Sequence, residues 1–130
     1  MTQENKELLL KELCARLPYG VIVETPKGKG HVCDINLTIF GAEIGVNVNP
    51  TIRYNFSISD VKPYLFPMPS MTEEEKEEYC QLQQRVIYNS KGVVNEDVKN
   101  YINYCYKKHL DINNLIPMKL AIDTTNLNVY

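Results

Sequence analysis

Hydrophobic residues follow a helical period at the start of the chain. Three leucines recur at four-residue spacing: Leu9, Leu13 and Leu17. Charged residues, including Glu12 and Arg16, occupy the other positions around the turn. One apolar stripe among charged residues is typical of an amphipathic helix, so we predict a helix over residues 5–17. Pro18 ends it, because proline cannot continue the hydrogen-bond ladder of a helix.

From Tyr19 the period of the pattern changes from about 3.6 residues to two. Alternating apolar and polar residues, separated by turn residues, predict four short strands over residues 19–24, 30–39, 43–49 and 52–58. Consecutive strands of this length, twisted as all sheets are, usually curl into a small, partly open barrel. We therefore expect a small antiparallel β-barrel after the first helix, with residues 1–65 forming one part of the chain.

The second half of the chain returns to a helical pattern. We predict three segments there: an extended, proline-rich hinge over 60–70 and helices over 71–86 and 95–108. Thr72 and Glu75 have the spacing of a capping box, which predicts where the first of these helices begins. Asn95 is the expected cap of the other, after a break at residues 89–92.

The C-terminal residues carry turn signals and two short apolar segments. Asp111 is expected to cap one further turn that ends at Pro117. A terminal hairpin of residues 120–123 and 127–130 is expected around 124–126. The fold class is therefore α+β: an N-terminal helix, a small barrel and a C-terminal helical pair, with residues 66–130 packed on 1–65 as one compact unit.

Composition and charge narrow the class of protein. The chain has 130 residues, 44% of them hydrophobic, which suits one domain with its own core. A net charge of −2 argues against a dedicated duplex-DNA-binding protein. The polar start and the lack of an apolar run near 18 residues predict a cytoplasmic protein with no membrane contact.

The candidate catalytic and metal-binding residues are few. His31 and His109 are the two histidines, and neither has neighbours that would complete a catalytic triad. The four cysteines lack CxxC spacing and are expected to be reduced thiols, with Cys14 and Cys105 on the apolar faces of their helices. We therefore predict no enzyme activity, no metal site and no cofactor.

One turn has the composition of an anion-binding site. Lys27, Lys29 and His31 alternate with glycines, although a P-loop would need a strand-to-helix junction, whereas this turn joins two strands. The turn is either a solubilising hairpin or, with Arg53 at the barrel mouth, a contact for a phosphate ligand. Tyr54 adds a third alternative, in which it stacks on single-stranded nucleic acid.

Tyrosine is concentrated in the helical half. Tyr101, Tyr104 and Tyr106 cannot all lie on one apolar stripe of the third helix. The surplus rings either pack against the rest of the chain or form an interface with a partner or a second copy of the chain.

Three blocks, at residues 13–21, 61–75 and 115–123, resemble small uncharacterised proteins of gut Bacteroides-type bacteria and of their phages or mobile elements. Those relatives usually carry Asp-Tyr-Arg-Gly-Leu-Ile where this chain has Asp-Ile-Asn-Asn-Leu-Ile at 111–116. Separately, TPKGKGHVCDIN and FSISDVKPYL are similar to the strand pattern of SH3-like barrels. The resemblance implies a mobile-element origin, and the barrel pattern implies binding rather than catalysis.

These observations lead to one functional hypothesis and two alternatives. We expect a non-enzymatic accessory protein, carried by a phage or mobile element, that binds a host macromolecule, most simply a host protein. The first alternative is a sponge that sequesters a nucleotide or another phosphate ligand. The second is a protein that binds single-stranded nucleic acid on the barrel. A homodimer is compatible with each of them.

Overall fold

A computed structural model describes residues 1–88 and 95–130 and has an α+β fold. Its helices are α1 (Gln3–Arg16), α2 (Glu73–Tyr88) and α3 (Asn95–Lys107). Its strands are β1 (Ile22–Thr25), β2 (Gly28–Thr38), β3 (Gly41–Asn49), β4 (Ile52–Ser57), β5 (Lys62–Leu65) and β6 (Ile122–Asp123). Single 3-10 turns lie at Leu17–Tyr19, Ile58–Asp60 and Met68–Ser70. The predicted α+β class is confirmed.

The strands form one open sheet rather than a barrel. Their order is β4-β3-β2-β1-β5-β6, and all neighbours are antiparallel except the parallel pair β5 and β6. β4 and β6 are thus the two opposite edges of the sheet, and the strands predicted to form a small, partly open barrel do not close on one another. The edges stay apart because the C-terminal segment adds β6 beside β5, on the side where β4 would have had to pair.

Two further predictions are corrected at the same edge. Part of the predicted hinge forms β5, in which Pro63 pairs with Val23 of β1. The terminal hairpin is not formed, because Ile122 pairs in parallel with Tyr64 of β5 instead of folding back on the last residues. The Thr124 N–H continues this attachment by donating to the Leu65 carbonyl over 2.9 Å.

The core lies between α1, one face of the sheet and the C-terminal segment. The apolar stripe of α1 is confirmed, since Leu9 and Leu13 are fully buried. They pack with apolar residues of the sheet and of the C-terminal segment, including Val23, Ile44, Val46, Val61, Leu65, Leu115 and Leu120. This burial ties both halves of the sequence into one core.

The C-terminal helices pack on each other, and α3 also contacts α1. The predicted capping box at the start of α2 is confirmed: the Glu75 N–H donates to Thr72 Oγ1 over 3.1 Å, and the Thr72 N–H donates to Glu75 Oε1 over 3.0 Å. The predicted break at 89–92 lies outside the described residues. The Asp111 cap is also present, because its carboxylate accepts from the backbone N–H groups of Leu115 and Ile116.

Candidate functional site

The sheet divides the predicted ligand-binding residues between its two faces. His31 pairs with Asn47 of β3, which pairs in turn with Arg53 of β4. Residues opposite each other in an antiparallel ladder share a face, so His31 and Arg53 lie on the same side. Tyr54 pairs with the buried Val46 and therefore lies on the other, core-facing side. The five predicted residues do not form one site.

Arg53 is held by an ion pair that crosses a strand. Its Nη2 atom lies 2.5 Å from Asp34 Oδ1, although Arg53 is on β4 and Asp34 on β2. Gly45 of β3 lies between them, and a Cβ atom there would overlap both side chains. The missing side chain thus leaves room for the guanidinium beside Asp34, in a pair whose side chains are 44% and 42% exposed.

Both lysines of the glycine-rich turn lie over tyrosine rings. Lys27 Nζ is 5.8 Å from the centre of the Tyr54 ring, and Lys29 Nζ is 5.3 Å from that of Tyr64. These distances are in the range of cation–π contacts. The Tyr64 hydroxyl donates to Glu24, and burial together with this carboxylate raises the pKa of Tyr64 to about 12.

A groove beside β2 brings two of the predicted cationic residues together. We call it the Lys29–His31 groove; its volume is about 530 Å³, and its walls include Ile22, Lys29, His31, Asn47, Asn49 and Val129. An ammonium, an imidazole and side-chain amides beside apolar residues can hold a small anionic ligand. Lys27, Arg53 and Tyr54 are not among the residues that line it.

The three tyrosines of α3 have partners inside the chain. The Tyr101 and Tyr79 hydroxyls are 2.7 Å apart, and the Tyr104 hydroxyl donates to the Glu75 carbonyl over 3.2 Å. Tyr106 lies under the Arg16 guanidinium, 4.8 Å from its carbon. Burial raises the pKa of Tyr104 to about 12. Each of the three rings thus has a partner within the chain, and each remains partly exposed.

Among the residues whose exposure the structure describes, the most exposed apolar ones lie at a site that sequence reasoning missed. At the end of the β2–β3 hairpin, Leu37 is 77%, Ile39 is 93% and Phe40 is 94% exposed. We call Ile39 and Phe40 the hairpin tip. The signal was present in the sequence, since two large apolar residues occupy a turn where polar residues are usual. The sequence pattern had assigned Ile39 to a strand and Phe40 to the turn that follows.

A buried ion pair also escaped the sequence analysis. Arg16 is fully buried and Glu12 is 2% exposed, although both were expected on the solvated side of the helix. Arg16 Nε donates to Glu12 Oε2 over 2.9 Å, and its Nη2 donates to the Leu110 carbonyl over 2.7 Å. Asn113 donates to the other oxygen of Glu12. The pair therefore joins α1 to the C-terminal segment, whose position no local pattern reveals.

The C-terminal Tyr130 completes the junction between β1 and β5. Val23–Pro63 and Glu24–Lys62 are the paired residues, so the next rung would join Ile22 to Tyr64. In its place the Tyr130 hydroxyl accepts from the Ile22 N–H over 3.0 Å and donates to the Tyr64 carbonyl over 2.9 Å. The hydroxyl thus satisfies the Ile22 N–H and the Tyr64 carbonyl, which the interrupted ladder leaves without a strand partner.

His109 lies against Tyr130 at the end of α3. The two rings are stacked with centres 3.6 Å apart. The backbone φ of His109 is 57° because this residue ends α3: the Leu110 N–H donates to the Cys105 carbonyl, as in a Schellman motif. Burial lowers the pKa of His109 to about 4, and the nearby positive charge of Arg16 adds to this effect. A neutral imidazole in this position is a packing group.

The cysteines differ in exposure. Cys14, Cys33 and Cys80 are exposed, and Cys105 is buried with its pKa raised to about 11. The predicted burial is therefore confirmed for Cys105 and wrong for Cys14, which lies on the outer side of α1. Within the part of the chain that the structure describes, no three His, Cys, Asp or Glu side chains come together as a metal site would require.

Comparison with known proteins identified no relative of this chain. No helix in residues 1–88 and 95–130 combines the length and apolar character needed to cross a membrane. No family model matches the chain, and no curated protein or solved structure matches it either.

Proposed function

We propose that this chain is a non-enzymatic binding protein that contacts a host protein through its hairpin tip. In this proposal it is an accessory factor of a phage or mobile element and works in the cytoplasm of its host. The observation that carries the proposal is the exposure of Ile39 and Phe40, at 93% and 94%. Exposed apolar residues that adjoin one another mark surfaces that a partner covers, and Ile39 and Phe40 are consecutive in the chain.

A second hairpin in the same sheet forms the same turn without these residues. In the β1–β2 turn, Thr25 Oγ1 donates to the Gly28 carbonyl and accepts from the Lys27 N–H. In the β2–β3 turn, Thr38 makes the same two contacts with the Gly41 carbonyl and the Phe40 N–H. Both glycines have positive φ, at 110° and 119°. Thr and Gly fix this turn, and the residues between them are free to vary.

The two turns differ in the pair of residues between the threonine and the glycine. Where the first hairpin has Pro26 and Lys27, the second has Ile39 and Phe40. A Pro-Lys pair serves the same geometry without exposing apolar surface. The geometry of the turn therefore does not explain the apolar pair, whereas contact with a partner does.

The chemistry around the tip favours a protein over a membrane. Residues 36–43 contain one charged side chain, Glu43, and the pocket that Phe40 lines with α1 adds one basic and one acidic residue, Lys6 and Glu7, so the tip has no basic cluster. Attraction to anionic lipid surfaces depends on basic residues beside the apolar ones. An apolar pocket on a host protein matches the composition of this hairpin, with Ile39 and Phe40 as its two anchors.

The test exchanges the tip for its counterpart in the same protein. The variant Ile39→Pro/Phe40→Lys reproduces the β1–β2 turn and should retain the stability of the fold. Burying an isoleucine and a phenylalanine contributes about 3–6 kcal/mol together, so a complex should weaken by about 100-fold or more. Met118→Lys is the matched control, because Met118 is also an exposed apolar residue but lies elsewhere.

Capture and cross-linking provide the two measurements. Wild-type protein and Met118→Lys should retain the same proteins from a lysate of a Bacteroides-type gut bacterium, and the tip variant should lose them. A photoreactive benzoylphenylalanine in place of Phe40 should cross-link to one of those proteins. The proposal is wrong if all three baits retain the same set, or if position 40 forms no cross-link.

A second candidate function is a phosphate-ligand sponge, and the Lys29–His31 groove favours it. Lys29 and His31 both line this groove. Calorimetry against a panel of nucleotides should show heat that Lys29→Gln reduces, and no heat from any nucleotide would count against the idea. Single-stranded nucleic acid is less favoured, because Tyr54 lies on the face opposite His31.

The proposal also places these surfaces on an SH3-like module. Three features support it: the strand order β5-β1-β2-β3-β4, the long β2 with its irregular register between Val32 and Asp34, and the 3-10 turn Ile58–Asp60 before β5. Modules of this kind commonly bind peptides and proteins, which agrees with a role in binding.

A further inference from the structure

The sheet has two edges of very different character. β6 has two residues, Ile122 and Asp123, and is too short to template another strand. β4 has six residues, Ile52–Ser57, and pairs with β3 alone among the strands that the structure describes. A free strand edge presents backbone N–H and C=O groups that another strand can pair with.

Two of the usual protections of an edge strand, proline and lysine within the strand, are missing from β4, although its pairing with β3 is irregular beside Ile52. Natural edges are guarded by prolines, by projecting lysines or by a covering segment, and residues 52–57 contain no proline or lysine. Arg53 is the one charged residue of the strand, and its guanidinium is drawn back over Gly45 to Asp34. Two large apolar side chains on the edge remain exposed, Ile52 at 42% and Tyr54 at 37%.

The sequence of β4 is complementary to itself in antiparallel pairing. A two-fold axis perpendicular to the sheet keeps each face on its own side, and it can pass beside either of the two central residues of β4, Tyr54 or Asn55. If Tyr54 lies opposite its own copy, Ile52 faces Phe56 of the other chain and Arg53 faces Asn55. If Asn55 lies opposite its own copy, Tyr54 faces Phe56 and Arg53 faces Ser57. Both place apolar residues opposite apolar residues, and neither opposes two charges.

We propose that two copies of this chain pair through their β4 edges and form a continuous twelve-stranded sheet across a two-fold axis. The occupant of the edge is a second copy because the pattern of β4 suits its own reversed sequence. Phe40 of the hairpin tip lines a pocket with Asn55, Phe56 and Ser57 at one end of β4, but the pairing itself uses the backbone of β4 and goes beyond the proposed function. Contact through one six-residue strand from each chain is small, and we expect a dissociation constant in the micromolar range.

Substitution of Asn55 tests the interface and also its register. Asn55→Lys places a lysine opposite Arg53 in the first arrangement and opposite another lysine in the second, so it should weaken the dimer about tenfold in either. Asn55→Glu places a glutamate opposite Arg53 in the first arrangement and opposite another glutamate in the second. It should therefore strengthen the dimer in the first and weaken it in the second.

Analytical ultracentrifugation of the full chain, from about 1 to 500 µM, measures the association. The control is Asn100→Lys, which changes the net charge equally at an exposed residue of α3. Circular dichroism checks that each variant keeps its fold. Amide hydrogen exchange at residues 52–57 should slow as the wild-type concentration rises. The proposal is overturned if the wild type stays monomeric throughout, or if Asn55→Lys associates as tightly as wild type and Asn100→Lys.

Discussion

Replacing Arg16 with methionine should be among the most damaging single changes to this fold. Methionine preserves the length and apolar stem of the side chain but removes its charge and its donors. The change leaves Glu12, 2% exposed, without its ion-pair partner. The Leu110 carbonyl also loses the donor that lies 2.7 Å from it, and Tyr106 loses the cation above its ring.

The magnitude follows from the charge that remains buried. Removing one partner of a buried ion pair costs about 3–5 kcal/mol, because the other charge stays out of water without compensation. Asn113 still donates to Glu12, so we expect about 3–4 kcal/mol. For a chain of 130 residues this corresponds to a fall in Tm of roughly 10–16 °C.

The assay is a double-mutant cycle in urea at pH 7. The free energy of unfolding is measured for wild type, Arg16→Met, Glu12→Gln and the double variant. Because the double variant buries no charge, it should be more stable than the sum of the single losses predicts, by about 1–3 kcal/mol. Additive losses, or a cost below about 1 kcal/mol for Arg16→Met, would show that the pair does not anchor α1 to the C-terminal segment.

Two further predictions concern the C-terminal junction. Tyr130→Phe removes the hydroxyl that bridges Ile22 and Tyr64; we expect a loss of about 1–3 kcal/mol by urea unfolding, and an unchanged stability would contradict the bridging role. The pKa of His109 is about 4 in the fold and 6.5 ordinarily, so its neutral form stabilises the fold above pH 6.5, and this contribution disappears as the pH falls towards 4. Between pH 7 and 4.5, wild type should lose about 1–2 kcal/mol more than His109→Asn, after allowance for partial exposure; equal losses would refute it.

Local signals in the sequence identified most of the secondary structure. The leucine spacing of α1 and the capping box of Thr72 and Glu75 depend on residues three or four positions apart. The turns at Gly28 and Gly41 follow from residues that tolerate positive φ. Interactions this close in the sequence are readable without knowledge of the rest of the fold.

The residue types of the candidate site were visible in the sequence, but the set of residues that lie together in the fold was not. Simple alternation along β2 puts Ile35 on the same face as His31. The register of β2 against β3 shifts between Val32 and Asp34, so Ile35 pairs with the buried Ile44. One extra residue in a strand exchanges the faces of everything that follows it. Tyr54 is separated from His31 by the regular part of the ladder, in which Tyr54 pairs with Val46 and His31 with Asn47.

Alone, the sequence determined the elements of this protein: where α1 begins to bury leucines, where the strands turn and where α2 is capped. The tertiary structure decided which of those elements pair with or pack against one another. Parallel pairing of β5 with β6 kept the sheet open, and burial of Arg16 depended on Leu110, which lies 94 residues away. Pairings between residues so far apart in the sequence depend on which segments compete best for a given sheet edge or for the core. A local sequence pattern does not show the outcome of that competition.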